Sequence, residues 1–311
     1  NTMYHLLLLS KENLKLAKEE ALSIANTKNY RLIKNYLILE TKKTDFSRLA
    51  FTKKVYQILF TTKKNNLSKK IKTFNFNKYY KKDFAVRSNV TSKEKEISSL
   101  IYEKLKNPKV NLKNPKTQFE FFFINKTVIS CLLLHKILSF EKRRPHLRPG
   151  FAPISLHPKL ARAVVNLTRI KPKQILLDPF VGTGGILIEA GLINCKLIGS
   201  DISKEMLKKC KLNLKNFKLR ARLIQEDATK IKVKADAIAT DPPYGKASPI
   251  KNKSLYTDFL NNAYKILKPK HYLVIITPNI KVKSKFKTIK TIDYYVHKSL
   301  TRKIIILQKV T

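Results

Sequence analysis

The stretch that most restricts the fold is Asp178-Pro179-Phe180-Val181-Gly182-Thr183-Gly184-Gly185. A short apolar strand pattern at 173–178 precedes it, and a helical pattern at 186–192 follows. Strand, glycine turn and helix in succession form the nucleotide-binding unit of doubly wound parallel sheets. The glycines let the backbone approach a ligand closely. No Lys-Ser/Thr follows the last glycine, so this is not a P-loop, and the spacing is not G-x-G-x-x-G. A dinucleotide is therefore disfavoured. The acid closing the strand, Asp178, suits a ligand with a positive charge, such as an amino-acid ammonium group.

The same grammar recurs downstream. A strand at 196–199 leads to Asp201 and Ile202, one at 221–224 to Asp227 and Ala228, and one at 235–239 to Asp241. An acid after the second strand of such a sheet holds the two hydroxyls of a ribose. Asp227 is placed to accept from an adenine amino group. Each aspartate alone has an ordinary alternative as a helix cap or turn residue. Four in register at strand ends point to a binding edge. Phe180 borders the cofactor or the base, or packs in the core.

Asp241-Pro242-Pro243-Tyr244-Gly245 is a stiff loop. Proline fixes φ and has no N–H to donate. The loop therefore offers acceptors, the Asp241 carboxylate and the Pro242 carbonyl, beside the flat ring of Tyr244. That set suits an exocyclic amine on a planar base. A plain turn after a strand is the alternative reading.

Composition narrows the partner. The 311 residues suggest two or three domains, and 65 Lys and Arg against 21 Asp and Glu give a net charge of +44. A lysine-rich coding bias explains part of this but not the scarcity of acids. A polyanion, most simply nucleic acid, is favoured; an anionic membrane surface is the alternative. No apolar run reaches the roughly 20 residues of a spanning helix. The leucines of residues 1–10 lack a basic n-region and a cleavage site, and read as a buried strand. Cys131, Cys195 and Cys210 have no metal-ligand spacing and are expected as small core residues in a reducing cytoplasm. No metal site is expected.

Four regions are predicted: an α+β module at 1–65, a second α+β unit at 66–140, a basic proline-rich linker at 141–158, and an α/β domain at 159–311. In the first, Ser10 is expected to cap a helix over 11–26. Between 61 and 82, eight lysines alternate with Phe74, Phe76, Tyr79 and Tyr80. Such a run either holds phosphates and stacks bases or is a solvated linker with anchoring aromatics. The linker carries Arg143, Arg144 and Arg148, read as phosphate ligands.

Two resemblances follow. Phe84-Ala85-Val86-Arg87, the turn Asn111-Leu112-Lys113-Asn114-Pro115 and the strand Phe119 to Phe123 resemble a THUMP domain, an RNA-binding module. The Asp178 loop with Ile186-Leu187-Ile188-Glu189-Ala190, Ile198-Gly199-Ser200-Asp201, the stretch Asp236 to Gly245, and His297-Lys298-Ser299-Leu300-Thr301-Arg302 resemble class I S-adenosylmethionine-dependent amino methyltransferases. Together the chain resembles the tRNA (guanine(10)-N2)-methyltransferases of archaea and their eukaryotic relatives. It departs from them in carrying Phe151-Ala152-Pro153-Ile154 before Ser155, and Val181 where members often have Cys.

The resemblance implies a Rossmann-like seven-stranded sheet with a terminal antiparallel hairpin, preceded by the α+β module and the THUMP-like domain. It implies S-adenosyl-L-methionine held by Asp178, Phe180, Gly182, Thr183, Gly184, Asp201, Ile202, Asp227 and Ala228. Catalysis falls to Asp241, Pro242 and Tyr244. Contacts to tRNA fall to Arg87, Lys113, Asn114, Arg143, Arg144, Arg148 and Pro243. A monomer is expected, and some members work with a small zinc-binding activator. Competing readings are methylation of another RNA guanosine (tRNA position 6 or rRNA), of adenine N6 in DNA, or a non-catalytic RNA-binding role.

Overall fold

The computed structural model describes residues 3–43, 45–153, 155–243, 254–278, 284–297 and 300–310. The first half contains β1 (Met3–Leu9), α1 (Leu14–Ala25), β2 (Tyr30–Ile33), β3 (Tyr36–Thr41) and β4 (Thr52–Lys63). It continues through α2 (Leu67–Thr73), β5 (Phe84–Ser88), α3 (Glu94–Tyr102), β6 (Thr117–Ile124) and β7 (Thr127–Lys136). The second half begins with α4 (Pro158–Leu167), β8 (Ile175–Asp178), α5 (Gly185–Gly191), β9 (Lys196–Asp201) and α6 (Lys204–Asn216). It ends with β10 (Arg222–Gln225), β11 (Ala235–Thr240), α7 (Ser254–Ile266), β12 (Leu267–Thr277), β13 (Lys287–His297) and β14 (Leu300–Gln308).

The chain forms two compact units. One contains Asn1–Lys11, Ala25–Ser47 and Thr52–Ile137; the other contains Glu12–Ile24, Arg48–Phe51 and Leu138–Thr311. The division expected at residue 65 is not a boundary. The long strand β4 pairs with β1 on one side and β7 on the other, so residues on both sides of 65 share one seven-stranded sheet. Its order is β2-β3-β1-β4-β7-β6-β5, antiparallel except for the pair β5–β6.

Packing explains the aromatics of 61–82. Phe76 is fully buried and Phe74 packs beside it, in a cluster with Phe60, Phe84, Phe119 and Phe121 under α2 and α3. Each fully buried ring of the cluster contributes about 1.5–3 kcal/mol by leaving water. Phe76 is a core residue, and Phe74, Tyr79 and Tyr80 are half-buried against the same cluster. The lysines between them, Lys69, Lys70, Lys72 and Lys78 included, stay exposed.

The second unit holds the order β10-β9-β8-β11-β12-β14-β13. Strands β8 to β12 run parallel, and β14 and β13 form the antiparallel end expected from the sequence. Sequential strands diverge on either side of the β8–β11 boundary, which makes it a topological switch point. Leu177, Ile238, Phe259, Leu260, Leu273 and Ile275 fill the core beside it.

Helix α1 belongs almost entirely to this second unit, not to an N-terminal module. It starts later than its apolar pattern suggested. Asn13 caps it, its Oδ1 accepting from the Leu16 N–H at 3.0 Å. Its buried Glu20 accepts from the N–H groups of Ala50 and Phe51, each at 2.8 Å, and from Asn166 Nδ2 of α4 at 2.6 Å. Burial pushes the Glu20 carboxyl up, and these donors hold it down. The side-chain periodicity of α1 shows that one face is buried, but not which sheet it covers.

Candidate active site

Asp178 closes β8 and is only 2% exposed. Thr240 Oγ1, at the end of β11, donates to its Oδ1 at 2.7 Å, and the Phe180 N–H donates at 3.2 Å. Burial pushes its pKa up to about 7; the two donors oppose this, and the nearby carboxylates of Asp201 and Asp241 add to it. Gly182 and Gly184 take φ of +48° and +86°, the left-handed region that favours glycine. A Cβ on Gly184 would lie 2.7 Å from Cys210 Sγ of α6, so the loop lies against that helix. A Cβ on Gly182 would meet nothing within 4 Å.

Asp201 fastens this loop from the neighbouring strand. Its Oδ2 accepts from Gly182 N–H and its Oδ1 from Ser203 N–H, both at 2.9 Å. A carboxylate oxygen has a second acceptor site, so this role leaves capacity for a diol. Asp227 follows β10; its Oδ1 accepts from the N–H and hydroxyl of Thr229, each at 2.8 Å, and the Thr229 N–H is the main cause of its lowered pKa. Between these acids Ile202 is 72% exposed, an apolar side chain left in the open. Ala228 is buried, and its carbonyl accepts from Asn262 Nδ2 at 3.0 Å. Phe180 packs edge-on against Phe259 of α7 with centroids 5.2 Å apart, so it belongs at least partly to the core.

Asp241 follows β11 directly. Arg302 of β14 reaches it, with Nη1 3.5 Å from Oδ2. Pro242 is buried and Pro243 half-buried. Tyr244 lies outside the described residues.

Two linker arginines are engaged inside the fold. Arg143 donates from Nε and Nη2 to the fully buried Glu189 of α5, at 2.7 and 3.2 Å, and Arg162 of α4 meets the same carboxylate at 2.8 Å. Arg148 is 4% exposed, and its Nε donates to the Arg143 carbonyl at 2.9 Å. A buried carboxylate needs a cation, and the linker supplies it. Arg144 differs: it is about half exposed and pairs with Glu141 at 2.6 Å. In the N-terminal unit, Arg87 Nη2 donates to the Leu112 carbonyl at 2.7 Å and props the turn at 111–115. Asn111 and Asp83 build that turn, through Asn111 Nδ2 to Asp83 Oδ2 at 3.0 Å and Lys116 N–H to Asp83 Oδ1 at 2.6 Å. Lys113 and Asn114 stay exposed on it.

Several residues of the site were not singled out in the sequence. Thr240 ties two strand ends together. Asn213 of α6 donates to the carbonyls of Gly150 and Thr183, at 2.9 and 2.8 Å, and so joins the linker to the glycine loop. The Ser155 and Thr183 hydroxyls meet at 3.0 Å. Thr240 was findable, since it precedes Asp241; nothing local marks Asn213.

A parallel sheet with an antiparallel end, a glycine loop at its switch point and acids along the same edge define a Rossmann-like methyltransferase. A family model described as "RMKL-like, methyltransferase domain" matches residues 145–301, and a DNA methylase model matches 6–212, a stretch that stops before the Asp241 loop. The fold is shared with TrmN from Thermus thermophilus, at a TM-score of 0.55 and 18% identity over 99% of this chain and 100% of that one. The chain is 31% identical to the tRNA (guanine(10)-N2)-dimethyltransferase of Methanothermobacter thermautotrophicus, across 99% of this chain and 100% of that protein. It is 37% identical to the enzyme of the same name from Methanocaldococcus jannaschii, across 75% of this chain and 69% of that protein. The chain belongs to the tRNA (guanine(10)-N2)-dimethyltransferase family.

Proposed function

We propose that the protein transfers methyl groups from S-adenosyl-L-methionine to the exocyclic N2 of a guanosine in tRNA, at position 10. The observation that carries this reading is the coupling of Asp178 and Asp241 at the ends of adjacent parallel strands, with Thr240 next to Asp241 and hydrogen-bonded to Asp178 at 2.7 Å. One acid serves the methyl donor and the other the acceptor amine.

The residues present fit the donor. Asp178 is a buried acceptor for its ammonium group, Asp201 an acceptor for its ribose hydroxyls, and Ile202 an exposed apolar side chain for a face of its adenine. Asp227 is the acceptor nearest the adenine amino group in this assignment. When bound, S-adenosylmethionine supplies an electrophilic methyl carbon on a sulfonium.

The guanine amine is conjugated with its ring, so its lone pair is a weak nucleophile. The Asp241 carboxylate and the Pro242 carbonyl accept its two hydrogens, which favours a pyramidal nitrogen with the lone pair aimed at the methyl carbon. From the motif alone, Tyr244 is the ring to stack on or bracket the base. This chain contributes orientation and preorganised acceptors. The base leaves its helix to reach the loop, at a cost of a few kcal/mol. The exposed lysines of the N-terminal unit, together with Lys113, Asn114 and Arg144, offset that cost by holding tRNA phosphates through shape rather than sequence. A THUMP-like role for residues 66–140 belongs to the same proposal.

The test is nucleoside mass spectrometry of a tRNA transcript after reaction. N2-methylated guanosine mapped to position 10, and absent from a transcript with adenosine there, is expected. Methylation of adenine in DNA, or of a different guanosine, would overturn the assignment.

A further inference from the structure

The proposed mechanism uses Asp241 but leaves its ionic partner unassigned. Arg302 lies on β14, the strand inserted between β12 and β13, where it stands opposite Tyr294. Its guanidinium reaches across the C-terminal edge of the sheet to a carboxylate 61 residues away in sequence, at 3.5 Å. Both side chains are largely enclosed, 16% and 18% exposed. At such depth an ion pair is screened less than on the surface, and each charge offsets the desolvation of the other. Asp241 also sits near a like charge, the buried Asp178. An ion pair to one carboxylate oxygen restricts how that carboxylate can turn.

We propose that Arg302 is a positioning residue: it holds Oδ2 of Asp241, so that the carboxylate is charged and already oriented when the guanine amine arrives. The inference rests on the reading of Asp241 as the amine acceptor. Arginine suits this task because its guanidinium is planar, permanently charged and rigid in its donor geometry. The stretch 297–302 stood out in the sequence only as a likeness to relatives; the pairing gives Arg302 a physical task.

The experiment compares Arg302→Ala, Arg302→Lys and Asp241→Ala in the full chain. It uses a tRNA transcript, with kcat, KM for tRNA and the Kd of S-adenosylmethionine measured separately. For Arg302→Ala, kcat falls about 10²-fold, the scale of a small misplacement at the reacting centre, while KM and Kd change less than about twofold. Added guanidinium restores part of the lost rate, and Arg302→Lys retains an intermediate rate. Loss expressed in KM instead would make Arg302 a phosphate ligand and overturn the proposal. A weakened Kd with no rescue by guanidinium would make it a structural residue, which also overturns it. Full activity of Asp241→Ala would remove the underlying reading of Asp241. Inactive Asp241→Ala with fully active Arg302→Ala would remove the Arg302 proposal alone.

Discussion

In the C-terminal sheet five parallel strands all finish at one edge, and Asp178, Asp201, Asp227 and Asp241 stand at or just beyond four of those ends. Among the described residues of the N-terminal sheet only β5 and β6 are paired as parallel strands, and no such row forms. The difference is one of topology before chemistry. Parallel strands deliver every C-terminal end, and the residue after it, to the same place. Antiparallel strands send alternate ends to opposite edges, so their loops cannot gather. One sheet can therefore concentrate a reaction, while the other presents distributed charge. The lysines around α2 and Asn77 fit the second task, on an apolar aromatic core.

The sharpest way to break this contrast is to remove the acid at the switch point. Asp241→Ala is expected to lower the single-turnover methylation rate about 10³-fold, the upper range for loss of one preorganised group. Affinity for tRNA, measured by filter binding, should stay within about twofold. A large loss of tRNA affinity would move Asp241 from catalysis to binding.

Glu189 tests the assignment of the linker to the fold. It is fully buried and meets both Arg143 and Arg162. Glu189→Ala leaves two cations without their partner and should cost about 3 kcal/mol of stability, within the range for breaking a buried pair. Chemical denaturation reads this directly. Unchanged stability with weakened tRNA binding would return Arg143 to the RNA.

These two residues show what the sequence made legible. Asp241 was found because a motif places it after an apolar strand, and its neighbours along the chain carry the signal. The same holds for Asp178, Asp201, Asp227 and the glycine loop, and for the order of elements from α4 to β14. The internal contacts of Arg143 and Arg148 were not legible, because a stretch rich in Arg and Pro has the composition of a solvated linker. Arg143 meets Glu189, 46 residues beyond it, and only the packing of α5 brings it there; Arg148 donates to the Arg143 carbonyl. Helix α1 fails for the same reason. Its apolar face is plain, but the partners of Glu20, Ala50, Phe51 and Asn166, are set by tertiary structure. Residue 65 looked like a boundary because polar sequence follows it, whereas β4 pairs across the whole first sheet.

A charge reversal in the N-terminal unit sharpens the other side of the comparison. Lys69, Lys70 and Lys72 are exposed on α2. Changing all three to Glu should weaken tRNA binding roughly 30-fold at low salt and flatten the dependence of log K on log salt by about two. The rate at saturating tRNA should not change. An unaltered salt slope would take this surface out of the tRNA interface.

The smallest effect concerns Asp178 and is a matter of sign. Its pKa is pushed up to about 7, chiefly by burial. Below that pH the folded protein holds a neutral carboxyl there, above it a carboxylate. Because the folded-state value exceeds the ordinary 3.8, this group's contribution to folding stability is greatest at low pH and falls as pH rises from about 4 to 7. Binding of an ammonium group runs the other way, since it selects the carboxylate. The affinity for S-adenosylmethionine should therefore rise up to about tenfold per pH unit between pH 5.5 and 6.5, and level off near 7. The window closes above about pH 8, where an α-amino group itself loses its proton. Calorimetric titration across this range, on the wild type and Asp178→Asn, separates the cases. A slope that vanishes in the variant assigns it to Asp178. A flat wild-type profile would mean that Asp178 meets the donor as a neutral hydrogen-bonding group, and the division of tasks between the acids of β8 and β11 would have to be redrawn.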